Sequence, residues 1–262
     1  MKELHEEPLN NGADFNPVPS MFTICNAVCG LFAIFTAMTA VSVPLNALLL
    51  VCAAMVFDVL DGLSARLLDA HSIHGMHLDS LADAISFGAA PASFIYCIGT
   101  RSELPSLAVS LLAMFYMSCT LWRLAAYNTR MFSGGEKEGR AMFIGLPSPA
   151  AAGMVCSMAW LLPQCVCSEH VYFACFFVYT FIASLLMVST VPYPHLRNLF
   201  ERTPLVVSLV VSVVAVGWVV RYGMLAFVLL AHIYIFLAPV VAIGEKIVRH
   251  MLEGRHLHFI DN

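Results

Sequence analysis

The 262-residue chain is 60% apolar and only 11% charged, against about 45–50% and about 25% in ordinary soluble domains. That balance excludes a soluble globular protein and points to an all-α, polytopic integral membrane protein. A net charge of −4 gives no support for nucleic acid as a partner. The nine cysteines, mostly inside apolar runs, read as small core residues rather than as a disulfide or zinc framework.

Residues 1–20 form a polar N-terminal and interfacial segment with Glu3, Glu6 and Glu7. It lacks the basic and apolar regions of a cleaved signal peptide. Pro17 and Pro19 are expected to interrupt any helix there. Eight apolar stretches of transmembrane length follow. They cover approximately 21–41, 44–68, 78–99, 104–128, 147–162, 171–191, 204–220 and 222–249. Residues 21–203 are thus expected to form a six-helix transmembrane core. Residues 204–249 form a C-terminal hairpin around Arg221, and 250–262 a cytoplasmic tail.

Eight spans put both termini on one side. That side receives Lys2, Arg66, Arg123, Arg130, Lys137, Arg140, Arg197, Arg202, Lys246, Arg249 and Arg255, and the other only Arg101 and Arg221. The excess of basic residues marks the cytoplasmic side. The expected location is therefore the cell (cytoplasmic) membrane, with the termini in the cytoplasm.

Five of the seven aspartates fall between Asp58 and Asp83, at the cytoplasmic edge of the second and third stretches. Carboxylates near a bilayer are costly and mark function. Asp58 and Asp61 are three apart, Asp79 and Asp83 four apart, so each pair shares one helix face. Two facing pairs would bring four carboxylates together, which repulsion forbids unless cations sit between them. Hard oxygens select Mg²⁺, Mn²⁺ or Ca²⁺, and two such ions can clamp an in-line phosphoryl displacement. Gly62 and Ala65 leave backbone open one turn apart, and Arg66 offers a planar fork for phosphate. Asp69 lies outside the pattern as a loop acid. His71, His74 and His77 sit in the loop between the two halves, where a hard-metal site has no need of them.

Three further stretches stand out, all expected at the same face. They are Arg123-Leu-Ala-Ala-Tyr127-Asn128, Phe143-Ile-Gly145-Leu-Pro147-Ser148-Pro149 and Ser189-Thr-Val-Pro192-Tyr193. Arg123 reads either as a topology anchor or as a cation for a substrate anion. Asn128 reads as a helix end or a ligand. Pro147 and Ser148 either open a helix or bind an anion at its N-terminus. Thr23 and Asn26, polar on an apolar helix, read as interhelical glue or as substrate contacts. Tyr193 and His195 read as interfacial residues.

The pattern Asp58-x-x-Asp61-Gly62-x-x-Ala65-Arg66-x8-Gly75-x-x-x-Asp79-x-x-x-Asp83 resembles the CDP-alcohol phosphatidyltransferase motif at every fixed position. The surroundings of Ser64, of residues 78–92, 122–128 and 145–152, and Thr23-x-x-Asn26-x-x-x-Gly30, are similar to its membrane-embedded phosphatidylserine synthases. The resemblance implies transfer of a phosphatidyl group from CDP-diacylglycerol, supplied by the membrane lipid, to L-serine, with release of CMP. It further implies two divalent cations. Asp58, Asp61 and Asp79 would hold one, and Asp61, Asp79 and Asp83 the other, with Asp83 also the general base. Gly62, Ala65, Arg66 and Gly75 become nucleotide-binding positions. Arg123, Asn128, Thr23, Asn26 and Ser148 become candidates for holding serine or phosphate. The resemblance leaves a homodimer open. Two competitors remain: the same chemistry on glycerol 3-phosphate, inositol phosphate or choline, and a cation or proton transporter using intramembrane carboxylates.

Overall fold

The computed structural model describes residues 17–40, 43–68, 73–101, 105–132, 143–165 and 168–193, with single positions and short pieces between 223 and 244. The expected seventh span, the tail and the acidic N-terminus lie outside the described residues, as do Asp69, His71, His195 and most of the eighth span.

The described chain is helical. In order come α1 (Pro17–Thr39), α2 (Leu45–Leu67), α3 (Ile73–Asp83), a π-helical turn (Ala84–Ala89) and α4 (Ala90–Gly99). Then follow α5 (Ser106–Phe132), β1 (Phe143–Ile144), α6 (Ser148–Cys165), α7 (Glu169–Val188) and β2 (Pro192–Tyr193). Among the described residues, five helical segments are long and apolar enough to cross a membrane: Val18–Thr39, Leu45–Ala65, Ile73–Gly99, Ser106–Thr129 and His170–Val188. A shorter apolar helix spans Ser148–Pro163.

Burial runs opposite to that of a soluble protein. Met21, Phe32, Phe35, Leu111, Met114, Trp122 and Phe181 point outward, while Thr23, Asn26, Asp61, Asp83, Ser86, Arg123 and Ser148 are buried. A bilayer rewards this arrangement, because lipid tails accept large apolar side chains and polar groups must find partners inside. Small residues set the closest packing. Ala33 and Ala37 of α1 are fully buried against the cluster holding Ala47, Val51 and Ala54 of α2 and Phe94 of α4. A second core gathers Ile95, Tyr116, Leu146, Met154, Phe176, Met187 and Tyr193.

Several expectations need correction. Pro17 and Pro19 do not exclude a helix; α1 begins at Pro17. The first turn has no intrahelical use for its N–H groups, so proline is tolerated there. The third helix begins at Ile73 rather than 78, which puts His74 and His77 on the helix, exposed, instead of in a loop. Tyr193 is 1% exposed and part of the second core.

The described chain is all-helical as expected, apart from one two-residue ladder. Phe143 pairs with Tyr193 and Ile144 with Pro192, antiparallel. Gly145 follows at φ +89°, a backbone state that costs a residue with a Cβ. From there the Gly145 N–H donates to Val191 O and the Leu146 N–H to Leu186 O, each at 2.9 Å. The second bond occupies a carbonyl in the last turn of α7, where intrahelical donors run out. Two of the three distinctive stretches are therefore one structure.

Candidate metal and active site

Three of the four motif aspartates converge in the structure. Asp58 and Asp61 lie near the end of α2, Asp79 and Asp83 on α3. Asp58, Asp61 and Asp79 each present a carboxylate oxygen, and these three oxygens all lie within 4.8 Å of one another. Asp83 stands beside this triplet and interacts electrostatically with Asp58, Asp79 and Asp61. Asp79 Oδ1 is buried and has no hydrogen-bond partner. Converging hard oxygens with an orphaned acceptor fit a divalent cation, so the residues present suit the metal that the motif implies.

Helix α1 supplies the groups that orient these acids. Thr23 Oγ1 donates to Asp61 Oδ2 at 2.8 Å. Asn26 Nδ2 donates to Asp83 Oδ1 at 3.3 Å, and Asn26 Oδ1 is buried without a partner. The approach of α1 depends on Gly30. A Cβ at that position would lie 2.6 Å from Ser86 Cα, far inside van der Waals contact. Ser86 Oγ in turn donates to the Asn26 backbone carbonyl at 2.8 Å. Thr23 and Asn26 thus tie helices together, and the groups they tie are the acids.

Gly62 behaves differently. It is exposed, and a Cβ built there meets nothing within 4 Å. Protein packing does not demand this glycine, which leaves room for a ligand at the helix surface. Ala65 beside it is half-buried, and Ser64 Oγ donates to the Asp61 carbonyl at 2.9 Å. The Arg66 side chain lies outside the described residues. Gly75 is half-buried on α3.

Arg123 of α5 is 9% exposed, whereas its neighbour Trp122 is 68% exposed. The guanidinium therefore faces inward and the indole outward. Arg123 interacts electrostatically with Asp58, Asp79 and Asp83, and its Nη1 donates to Ser148 Oγ. An anchor reaching for headgroups would lie on the outside. Ser148, fully buried as the first residue of α6, is held in place by the ladder that precedes it. One guanidinium does not balance four carboxylates, so the site retains its demand for cations. Asn128 is placed one step away. Its amide exchanges hydrogen bonds with Ser80 Oγ, at 2.8 Å as donor and 3.2 Å as acceptor, and so ties the end of α5 to α3.

Ser80, Ser86 and Tyr116 escaped the sequence reading. Ser80 and Ser86 are short polar residues in an apolar helix, a weak signal shared with many packing serines. Tyr116 gave a better one: it lies mid-span, whereas membrane tyrosines gather at interfaces.

The sequence profile of the CDP-alcohol phosphatidyltransferase family matches residues 16–192, more than half of the chain. A CDP-diacylglycerol–serine O-phosphatidyltransferase of Mycobacterium bovis is 37% identical over 142 residues, 54% of this chain and 48% of that protein. The Bacillus subtilis protein of the same name is 31% identical over 183 residues, 70% of this chain and 93% of that protein. That of Saccharomyces cerevisiae is 34% identical over 125 residues, 47% of this chain and 44% of that protein. This chain spans about half the length of the mycobacterial and yeast relatives that it matches.

Proposed function

We infer, for a chain that belongs to the CDP-alcohol phosphatidyltransferase family, that it transfers the phosphatidyl group of CDP-diacylglycerol to L-serine. The products are phosphatidylserine and CMP. The observation that carries this reading is the convergence of Asp58, Asp61 and Asp79 beside Asp83 and Arg123. The names of the relatives favour serine over other alcohols.

Asp58, Asp61 and Asp79 would hold one divalent cation, Mg²⁺ or Mn²⁺, and Asp61, Asp79 and Asp83 a second. When bound, such ions supply charge neutralisation at the diphosphate and lower the proton affinity of an attacking hydroxyl. Thr23 orients Asp61, and Asn26 orients Asp83, so that neither acid swings away from the cluster. Gly62 leaves the surface of α2 open for the nucleotide, and Ala65, Arg66 and Gly75 are the further nucleotide-binding positions that the motif implies. Arg123, which donates to Ser148 Oγ, would pair with the serine carboxylate through its planar fork. The serine oxygen forms a bond to the phosphorus that carries diacylglycerol. The bond from that phosphorus to the bridging oxygen breaks, and CMP leaves with the electron pair. Asp83 accepts the hydroxyl proton.

The orientation follows from charge. The acids, the Arg123 end of α5 and the start of α6 gather at one end of the helices. Arg101 sits at the other, donating from Nη2 to the Ala40 carbonyl at 2.9 Å. The basic residues of the chain favour the first end as cytoplasmic. In this reading the full chain has eight spans, with residues 21–203 as the catalytic core and 204–249 as a C-terminal hairpin.

The test is CMP release by purified protein given defined CDP-diacylglycerol and a panel of alcohols. Serine alone should support it. Release with glycerol 3-phosphate or inositol phosphate instead would reassign the acceptor, and cation flux without CMP would favour a transporter.

A further inference from the structure

Helices α3 and α4 are one continuous rod interrupted by six residues of π-helix, which begin immediately after Asp83. Within it the Ala90 N–H reaches back five residues to the Ile85 carbonyl. A π turn inserts one extra residue, and each residue of an α-helix advances about 100°. The insertion therefore rotates everything beyond it by about that angle.

This rotation has a use. Asp79 joins the acid cluster, and Asp83 and Ser86 are hydrogen-bonded to Asn26 of α1. Phe94, Ile95 and Ile98 are buried in the cores. Continued as regular α-helix, these two faces would diverge by about 100°. Either the acids would leave the site or the core face would turn to lipid. The π turn brings both faces into line.

The turn is gripped from two sides. From α1, Gly30 permits contact and Ser86 Oγ bonds the Asn26 carbonyl. From α5, the Tyr116 hydroxyl donates to the Phe87 carbonyl at 3.0 Å, with Tyr116 fully buried. A Cβ on Gly88 would lie 2.8 Å from Met117 Sδ, so α5 also packs tightly on the turn. A mid-membrane phenol must find an acceptor, and this one takes a carbonyl inside the single irregular turn of the rod.

We propose that Tyr116 is a positioning residue for Asp83, acting through the π turn. Its hydroxyl keeps the extra residue in the rod and so keeps the Asp83 carboxylate turned toward Asp58, Asp61 and Asp79. The inference rests on the reading of Asp83 as a metal-contacting acid.

The test is a cycle of Tyr116→Phe and Asp83→Asn, read by Mn²⁺ titration of detergent-purified protein with electron paramagnetic resonance. Losing one hydrogen bond of about 1 kcal/mol corresponds to about fivefold weaker binding. Tyr116→Phe should therefore weaken Mn²⁺ binding by about that factor, and the loss should vanish in the Asp83→Asn background. Ser86→Ala loosens the same turn from α1 and should show the same dependence on Asp83, whether or not Tyr116→Phe folds. Tyr179→Phe, which loses a hydroxyl contact with His232 on another face, should change thermal stability but not Mn²⁺ affinity. Unchanged Mn²⁺ binding in the Tyr116 and Ser86 variants would overturn the proposal. So would an equal loss in both backgrounds. Absence of serine-dependent CMP release by the wild type would instead refute the acceptor assignment and leave the cycle readable.

Discussion

Replacing Arg123 with alanine separates the substrate-binding reading from the anchoring one. Arg123 is buried and bonded to Ser148, beside Asp58, Asp79 and Asp83. Removing a charge-assisted contact to a carboxylate costs about 1.5–3 kcal/mol, or about ten- to a hundredfold in affinity. The apparent KM for serine should rise by that factor, while that for CDP-diacylglycerol changes little. The charge also acts on the metal, with opposite sign. A cation beside three carboxylates repels other cations, so its loss should lower the Mn²⁺ concentration needed for half-activation. Ser148→Ala removes only the support and should raise the serine KM by about tenfold at most. The double variant should be no worse than Arg123→Ala, because both act on one contact. Arg123→Lys keeps the charge but loses the fork and should fall between. The assay is steady-state CMP release, normalised to folded protein. An unchanged serine KM, or additive effects of Arg123→Ala and Ser148→Ala, would refute this reasoning and return Arg123 to a role in folding or topology.

Exhaustive chelation should abolish CMP release, and added Mn²⁺ or Mg²⁺ should restore it; full activity without divalent cations sinks the metal reading. Asp83→Asn should lower turnover by about 10²–10⁴, the usual span for loss of a general base, with CDP-diacylglycerol still bound in a filter or fluorescence assay. Gly62→Ala should leave thermal stability unchanged or raise it by up to about 1 kcal/mol, since alanine is the better helix former and its Cβ meets nothing. The same variant should raise the KM for CDP-diacylglycerol, and an unaltered KM would remove Gly62 from the nucleotide wall. Gly145→Ala should lower folded yield by a cost of about 1–3 kcal/mol, because φ +89° is strained for alanine; equal thermal stability would show that the turn relaxes freely.

What the sequence by itself determined is local or additive. Hydropathy sums along a stretch, so a membrane protein and the approximate limits of its first six apolar segments were legible. Helical periodicity relates residues three and four apart, so spacing alone places Asp58 with Asp61, and Asp79 with Asp83, on shared faces. Their like charge then forces the idea of a cation. Tertiary structure decided which partner each acid has. The bond from Thr23 to Asp61 joins residues 38 apart, and that from Asn26 to Asp83 residues 57 apart; no local pattern encodes either. The ladder joining residues 143–144 to 192–193 is equally remote and reads as two unrelated polar breaks. The π turn was invisible for a different reason. Residues 84–89 suit an ordinary helix, and the extra residue is stabilised by Gly30 and Ser86 on one side and Tyr116 on the other. Whether Arg123 looks out to lipid or in to the acids is likewise a question of helix rotation. Packing of α5 against the π turn and the start of α6 answers it.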